Sequence, residues 1–183
     1  EIAAIAVGAD GQGRKVLLVM MDVSKTGLIS PSVACVQDLK QRFPDHVEVM
    51  VDACQLRLAP QTLAAYLRQD FMVAVTGSKF MTGPAFSAAL LVPEGVAERA
   101  QGGTLPRSLA ETCTLGELPE GWRGAPDLKS RANFGLVLRW EAALEEMRRF
   151  TALPSAAVTG FFIDFAATIS ERLAEDDAFE PVA

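Results

Sequence analysis

Three short apolar runs separated by stretches of helical period constrain the fold of this chain more than any other feature. Lys15-Val-Leu-Leu-Val-Met-Met-Asp22 is continuous with a β-branched component, the pattern of a strand in a parallel sheet covered on both faces, and Val47 to Val51 and Phe71 to Val75 read as further strands. Between the first two, Val36, Leu39 and Phe43 recur at helical spacing from Ser32 onward, and Pro44 ends the pattern. Between the second and third, Pro60 stands at a first helical position, with Leu63 and Leu67 on one face. Ala88 to Val92 reads as a fourth strand. Strand and helix alternating over short connections predict an α/β fold with a mostly parallel sheet and covering helices. Right-handed crossovers then bring the carboxyl ends of the strands to one edge, where such sheets bind ligands. Ser24, Asp52, Ser78 and Lys79 all fall at that edge.

Residues 93 to 131 are broken by Gly102-Gly103, Pro106, Pro119, Gly121, Gly124 and Pro126, and read as a surface excursion with one short helix. A long helix follows from Phe134 to Phe150, with Val137, Trp140, Leu144 and Met147 on one face and Glu145 with Arg149 as an i,i+4 pair. Pro154 breaks it. A second helix starts near Ser155 and carries Phe162, Phe165, Ile169 and Leu173 along one side. These features divide the chain into a large part, 1–130, and a smaller helical part, 131–183.

Half of the 183 residues are apolar, yet no apolar run reaches the length needed to cross a bilayer, so the expectation is a soluble chain with no membrane partner. A net charge of −6 without a basic stripe argues against nucleic acid. Cys35, Cys54 and Cys113 form no CxxC pair and stand beside a single histidine, His46. That pattern signals neither a disulfide framework nor a zinc site, and it fits a reducing, cytoplasmic compartment. Gly8-Ala-Asp-Gly-Gln-Gly13 precedes a strand instead of following one, so it reads as a turn and not as a phosphate cradle. Cys54 reads as a small buried hydrophobe.

Val51-Asp52-Ala53-Cys54-Gln55 and Thr76-Gly77-Ser78-Lys79-Phe80-Met81-Thr82-Gly83-Pro84, with Lys79 placed 27 positions after Asp52, carry a more specific signal. The pair resembles the cofactor site of fold-type I pyridoxal-phosphate enzymes, within the class V aminotransferase and cysteine desulfurase group. The resemblance covers residues 1 to about 95, and 131 to 183 by pattern alone. It implies Lys79 as the Schiff-base lysine, Asp52 as the partner of the ring nitrogen and Gln55 as the contact of the ring hydroxyl. A carboxylate about 4 Å from a pyridinium contributes roughly 4 kcal/mol at an effective dielectric near 20, enough to hold the ring proton at neutral pH. Thr76 and Ser78 are implied as phosphate donors. Ser24-Lys-Thr-Gly27 is similar to the family's Asn-x-Thr-Gly turn, with Ser24 in place of the usual Asn.

By this resemblance the parent protein is a transferase or lyase acting on an amino acid, working as a homodimer or with a completing chain. The family's earlier phosphate loop and its later substrate arginine have no counterpart in the sequence, and both ends read as cut. Cys113 lacks the context of a desulfurase cysteine. The alternative reading is a catalytically inactive α/β module of the same fold that serves as a binding or structural subunit.

Overall fold

The computed structural model describes residues 15–101, 103, 105–119, 122 and 128–179, with Ile5 and Gly8; most of the glycine-rich 8–13 segment lies outside them. Four strands form one sheet in the order β1 (Val16–Met21), β2 (Val47–Asp52), β3 (Met72–Thr76) and β4 (Ala88–Leu91). The first three are parallel, and β4 runs antiparallel to β3. Helix α1 (Val33–Arg42) and helix α2 (Pro60–Arg68) are the two crossovers. Ser32 caps α1 by accepting from Cys35 N at 3.3 Å, and Pro60 opens α2 at the position where its missing N–H costs nothing.

The chain divides into two compact units between Leu144 and Glu145. In the first, Leu18, Met20, Val49, Val51, Val73 and Val75 form one sheet face, packed with Val36 and Leu39 of α1 and Tyr66 of α2 in a single core. Both crossover helices therefore lie on the same side. Strand order that advances steadily from β1 to β3 with right-handed crossovers permits no other arrangement. The opposite face is not covered as the apolar run of β1 suggested: Leu17, Val19 and Met21 are 43 to 53 % exposed, and Leu90 is 48 % exposed. Continuous apolar sequence marks a strand in the interior of a sheet protein but does not say what lies over each face.

After β4 the chain forms α3 (Glu94–Ala100) and two 3₁₀ turns, Arg107–Glu111 and Leu115–Glu117, where one short helix was expected. Helix α4 (Phe134–Thr151) begins in the first unit, and Trp140 on it donates to Ala88 O at 3.3 Å. The second unit contains α5 (Ser155–Ala174), in which Phe161 and Phe165 stack with centroids 5.9 Å apart and no residue is buried. No single helix among the described residues is long and apolar enough to cross a membrane.

Candidate functional site

The strand register sets the site. Met21 pairs with Asp52 and Asp52 with Ala74, so these three side chains share the uncovered face at the carboxyl edge of the sheet. A cavity of about 240 Å³ opens there, walled by Met21, Val23, Ser24 and Lys25 from the loop after β1, Asp52 and Gln55 from the end of β2, and Lys79 from the loop after β3. Four of the six residues picked out from the sequence thus meet in one cavity: Ser24, Asp52, Gln55 and Lys79. That volume lies below the roughly 300–1,000 Å³ of sites for drug-sized ligands.

Each loop is fastened by its own bonds. The loop after β1 is closed by Met21 N to Ser30 O at 2.8 Å and Ser30 N to Met21 O at 3.2 Å. Within it the Ser24 hydroxyl accepts from Leu28 N at 3.1 Å and Thr26 N at 3.3 Å and lies 2.9 Å from Thr26 Oγ1, so Ser24 holds the turn together. Gly27 sits at φ +83°, a conformation open to glycine. At the end of β2, Asp52 Oδ1 accepts from Cys54 N at 3.0 Å, which fixes the direction of the carboxylate. The Cys54 thiol is pushed up to about 11 by burial, reinforced by its hydrogen bond to Asp52 and that carboxylate's charge and offset in part by Lys79. A thiol held in that form at neutral pH is a poor nucleophile, although Cys54 is half-buried and not the buried residue expected from the sequence.

The lysine loop is pinned from below. Gly77 N donates to Ser87 O at 2.9 Å, Gly83 N donates to Gly77 O at 2.9 Å, and Thr82 N donates to Lys79 O at 3.0 Å. A Cβ on Gly77 or on Gly83 would collide with Ala143 of α4, which is fully buried. The two glycines therefore serve the approach of a helix to the backbone of this loop.

Thr76 and Ser78 do not line the cavity. Thr76 Oγ1 donates to Ser87 O at 3.1 Å and lies 2.9 Å from Ser78 Oγ. Because Thr76 has one proton and spends it on Ser87, the Ser78 proton goes to Thr76. Ser78 must turn away from that bond before it can donate to a phosphate.

Two residues that the sequence reading passed over matter here. Asp22 follows Met21 and donates its backbone N–H to Asp52 O at 3.0 Å, but its side chain points to the helix-covered face and is only 6 % exposed. Burial disfavours its charged form, a hydrogen bond with Tyr66 offsets part of that, and the carboxyl stays above its usual range with Oδ2 unpartnered. The native state thus binds this proton more tightly than the unfolded chain, so stability falls as pH rises from the unfolded value of about 3.9 through the raised native one. Asp22→Asn is expected to gain about 1 kcal/mol at pH 7 and nothing near pH 3, read by urea unfolding. An equal gain at both would contradict this. The other residue is Lys25, visible in sequence only as the middle of the Ser24 turn.

A larger cavity of about 660 Å³ lies between β4 and the start of α4, beside Cys113, Arg131, Asn133 and Trp140. It contains none of the expected site residues. Among the described residues no cluster of His, Cys, Asp and Glu suits a metal ion. Compared with known proteins, the chain matches no family model and no curated protein, so the identity of the site rests on its residues and their placement.

Proposed function

We propose that this chain binds pyridoxal 5'-phosphate through Lys79 and forms the cofactor-holding part of a fold-type I enzyme, a transferase or lyase acting on amino acids. The observation that carries the reading is the convergence of an amine, a carboxylate and an amide, from Lys79, Asp52 and Gln55, on one cavity at the carboxyl edge of parallel strands. Such a donor set fits the group. When bound, the cofactor supplies a carbonyl carbon for amines and a cationic ring that takes up charge from the substrate.

The chain's own residues then have separate tasks. Lys79 Nζ would hold the cofactor and, as a free amine, would serve as the base for a proton of the substrate. Asp52, oriented by the Cys54 amide, keeps a proton on the ring nitrogen. Gln55 orients the ring through its hydroxyl, and Ser24 shapes the wall beside it. The uncovered sheet face lies next to the cavity, so a second copy of the chain or a completing chain laid over it would also shut out water. The alternative of an inactive module is favoured by one observation: the hydroxyls of Ser24, Thr76 and Ser78 are already engaged within the chain.

Titration with pyridoxal phosphate, followed by visible absorbance, separates the two. The wild-type chain is expected to develop the band of a lysine-bound chromophore, and Lys79→Ala to lose at least about tenfold in apparent affinity. Asp52→Asn should keep the band but release the ring proton at lower pH, because a neutral amide no longer favours the cation. Equal bands in the wild type and Lys79→Ala would refute the assignment.

A further inference from the structure

Asp22 sits at a junction. Its neighbours Met21 and Val23 both wall the cavity, its backbone N–H donates to Asp52 O at 3.0 Å, and its carboxyl turns the other way into the core. There Tyr66 bonds to it, and among the described residues Oδ2 has no partner. The charges of the surrounding elements lie elsewhere. On α1, Asp38 pairs with Arg42 and Lys40 with Glu48 of β2, and Arg68 of α2 is exposed. Asp52 of β2 lies on the uncovered face, bonded to Cys54 N, and Lys25 of the same loop as Asp22 is exposed. Tyr66 is therefore the titratable group that meets the Asp22 carboxyl.

Ionisation at that position creates a carboxylate with an unmade bond, which is costly until water reaches it. Two of its surroundings are anchored. Tyr66 is 5 % exposed and stacks on Phe71 with ring centroids 6.4 Å apart, and β1 is paired with β2 from Val16 to Met21. The loop that follows is held more lightly. Lys25 to Ile29 are exposed, and the bonds of the turn are local, from Leu28 N and Thr26 N to Ser24 Oγ and from Ser24 N to Leu28 O. Val23 is held at φ +55°, a left-handed conformation that a β-branched residue rarely adopts. Opening the loop relieves that strain and brings the carboxylate to solvent.

We propose that Asp22 is a proton-operated latch on the loop after β1: the neutral carboxyl seats in the core and holds the cavity wall closed, and the carboxylate releases the loop. Val23, Ser24 and Lys25 move with it, so any ligand that needs this wall binds with uptake of a proton and more weakly as pH rises. The latch does not depend on which ligand the cavity takes.

Amide hydrogen exchange of the 183-residue chain between pH 4 and pH 7, corrected for intrinsic rates, tests it. The closed loop binds the proton more tightly than the open one. Opening therefore becomes easier as pH rises from about 3.9, the value of a solvated carboxyl, through the raised value of the buried one. Protection of the Ser24 and Leu28 amides is expected to fall about fivefold over this range in the wild type and to stay level within about twofold in Asp22→Asn. In Tyr66→Phe the fall should be larger, because the hydrogen bond that favours the carboxylate is gone. The Ala53 amide, which donates to Ala74 O in the sheet, is the reference, and the loop should open at lower free energy than this amide and without a response to about 1 M urea. An equal fall in the wild type and Asp22→Asn overturns the proposal, as does a smaller fall in Tyr66→Phe. Loop amides that exchange only together with Ala53 also overturn it, because the proton would then act on the whole unit and not on the loop.

Discussion

Gly77→Ala is expected to destabilise the first unit by about 2 kcal/mol, and Ala143→Gly in the same chain to restore most of that loss. The added methyl would run into Ala143 Cβ, and neither partner can swing aside, because one is backbone-anchored on each side. Next nearest is Ser87 Oγ at 3.2 Å, a contact that can relax. The rescue is specific to this position. At Gly83 a Cβ would also lie 2.8 Å from Gly77 O and 3.0 Å from Ala143 Cα, so Ala143→Gly should recover little of the cost of Gly83→Ala. Denaturant unfolding of the three single and two double variants gives the coupling energies. Additive behaviour at Gly77 would mean that the lysine loop does not rest on α4.

Glu48→Ala is expected to cost about 2 kcal/mol at pH 7, and less as pH falls through the native value of its carboxyl. Glu48 has a side chain only 14 % exposed and receives Lys40 at 3.1 Å, itself 17 % exposed, so this pair is the partly buried centre of its network. Lys15 and Arg99 add bonds at 3.3 Å but are half exposed, and exposed pairs contribute little. Burial alone would raise the Glu48 carboxyl, yet hydrogen bonds from Arg99 and Lys40 outweigh it and bring it below the usual range. A depressed native value means that the stabilisation is present above the unfolded value near 4.3 and lost as pH falls through the native one. Lys40 keeps its bond to Val47 O at 2.7 Å in the variant, which limits the loss. Unfolding curves at pH 7 and at successively lower pH test it, and a difference that does not shrink at all as pH falls would contradict the ion-pair account.

Much of the fold could be read directly from the residues. The apolar runs marked β1, β2 and β3 to within a residue, and Pro44 and Pro60 marked where α1 stops and α2 starts. Even the direction of β4 follows from the chain, since the 11 residues from Gly77 to Ser87 carry no helix and fall short of a parallel crossover. What lies over each face did not follow, because Leu17, Val19 and Met21 have the same apolar character whether buried or not. At the site, Asp52 and Lys79 were legible because a strand end followed by a turn places its side chain at the carboxyl edge. Asp22 was not, since one residue's alternation along β1 sends it to the covered face while Met21 joins the cavity wall. The engagement of Thr76 with Ser78 and Ser87 was equally hidden, because it depends on a partner 11 residues away.

The central claim is that Lys79, which shares a cavity with Asp52, is the lysine that takes the cofactor. Incubation of the chain with pyridoxal phosphate, reduction with borohydride and peptide mass mapping test it most directly. The account predicts one dominant adduct, on Lys79, with Lys15, Lys25, Lys40 and Lys129 labelled far less, and loss of that adduct in Lys79→Ala without a compensating rise elsewhere. Label spread evenly over the five lysines would contradict it, because exposed amines react in that way without a site to hold the ring.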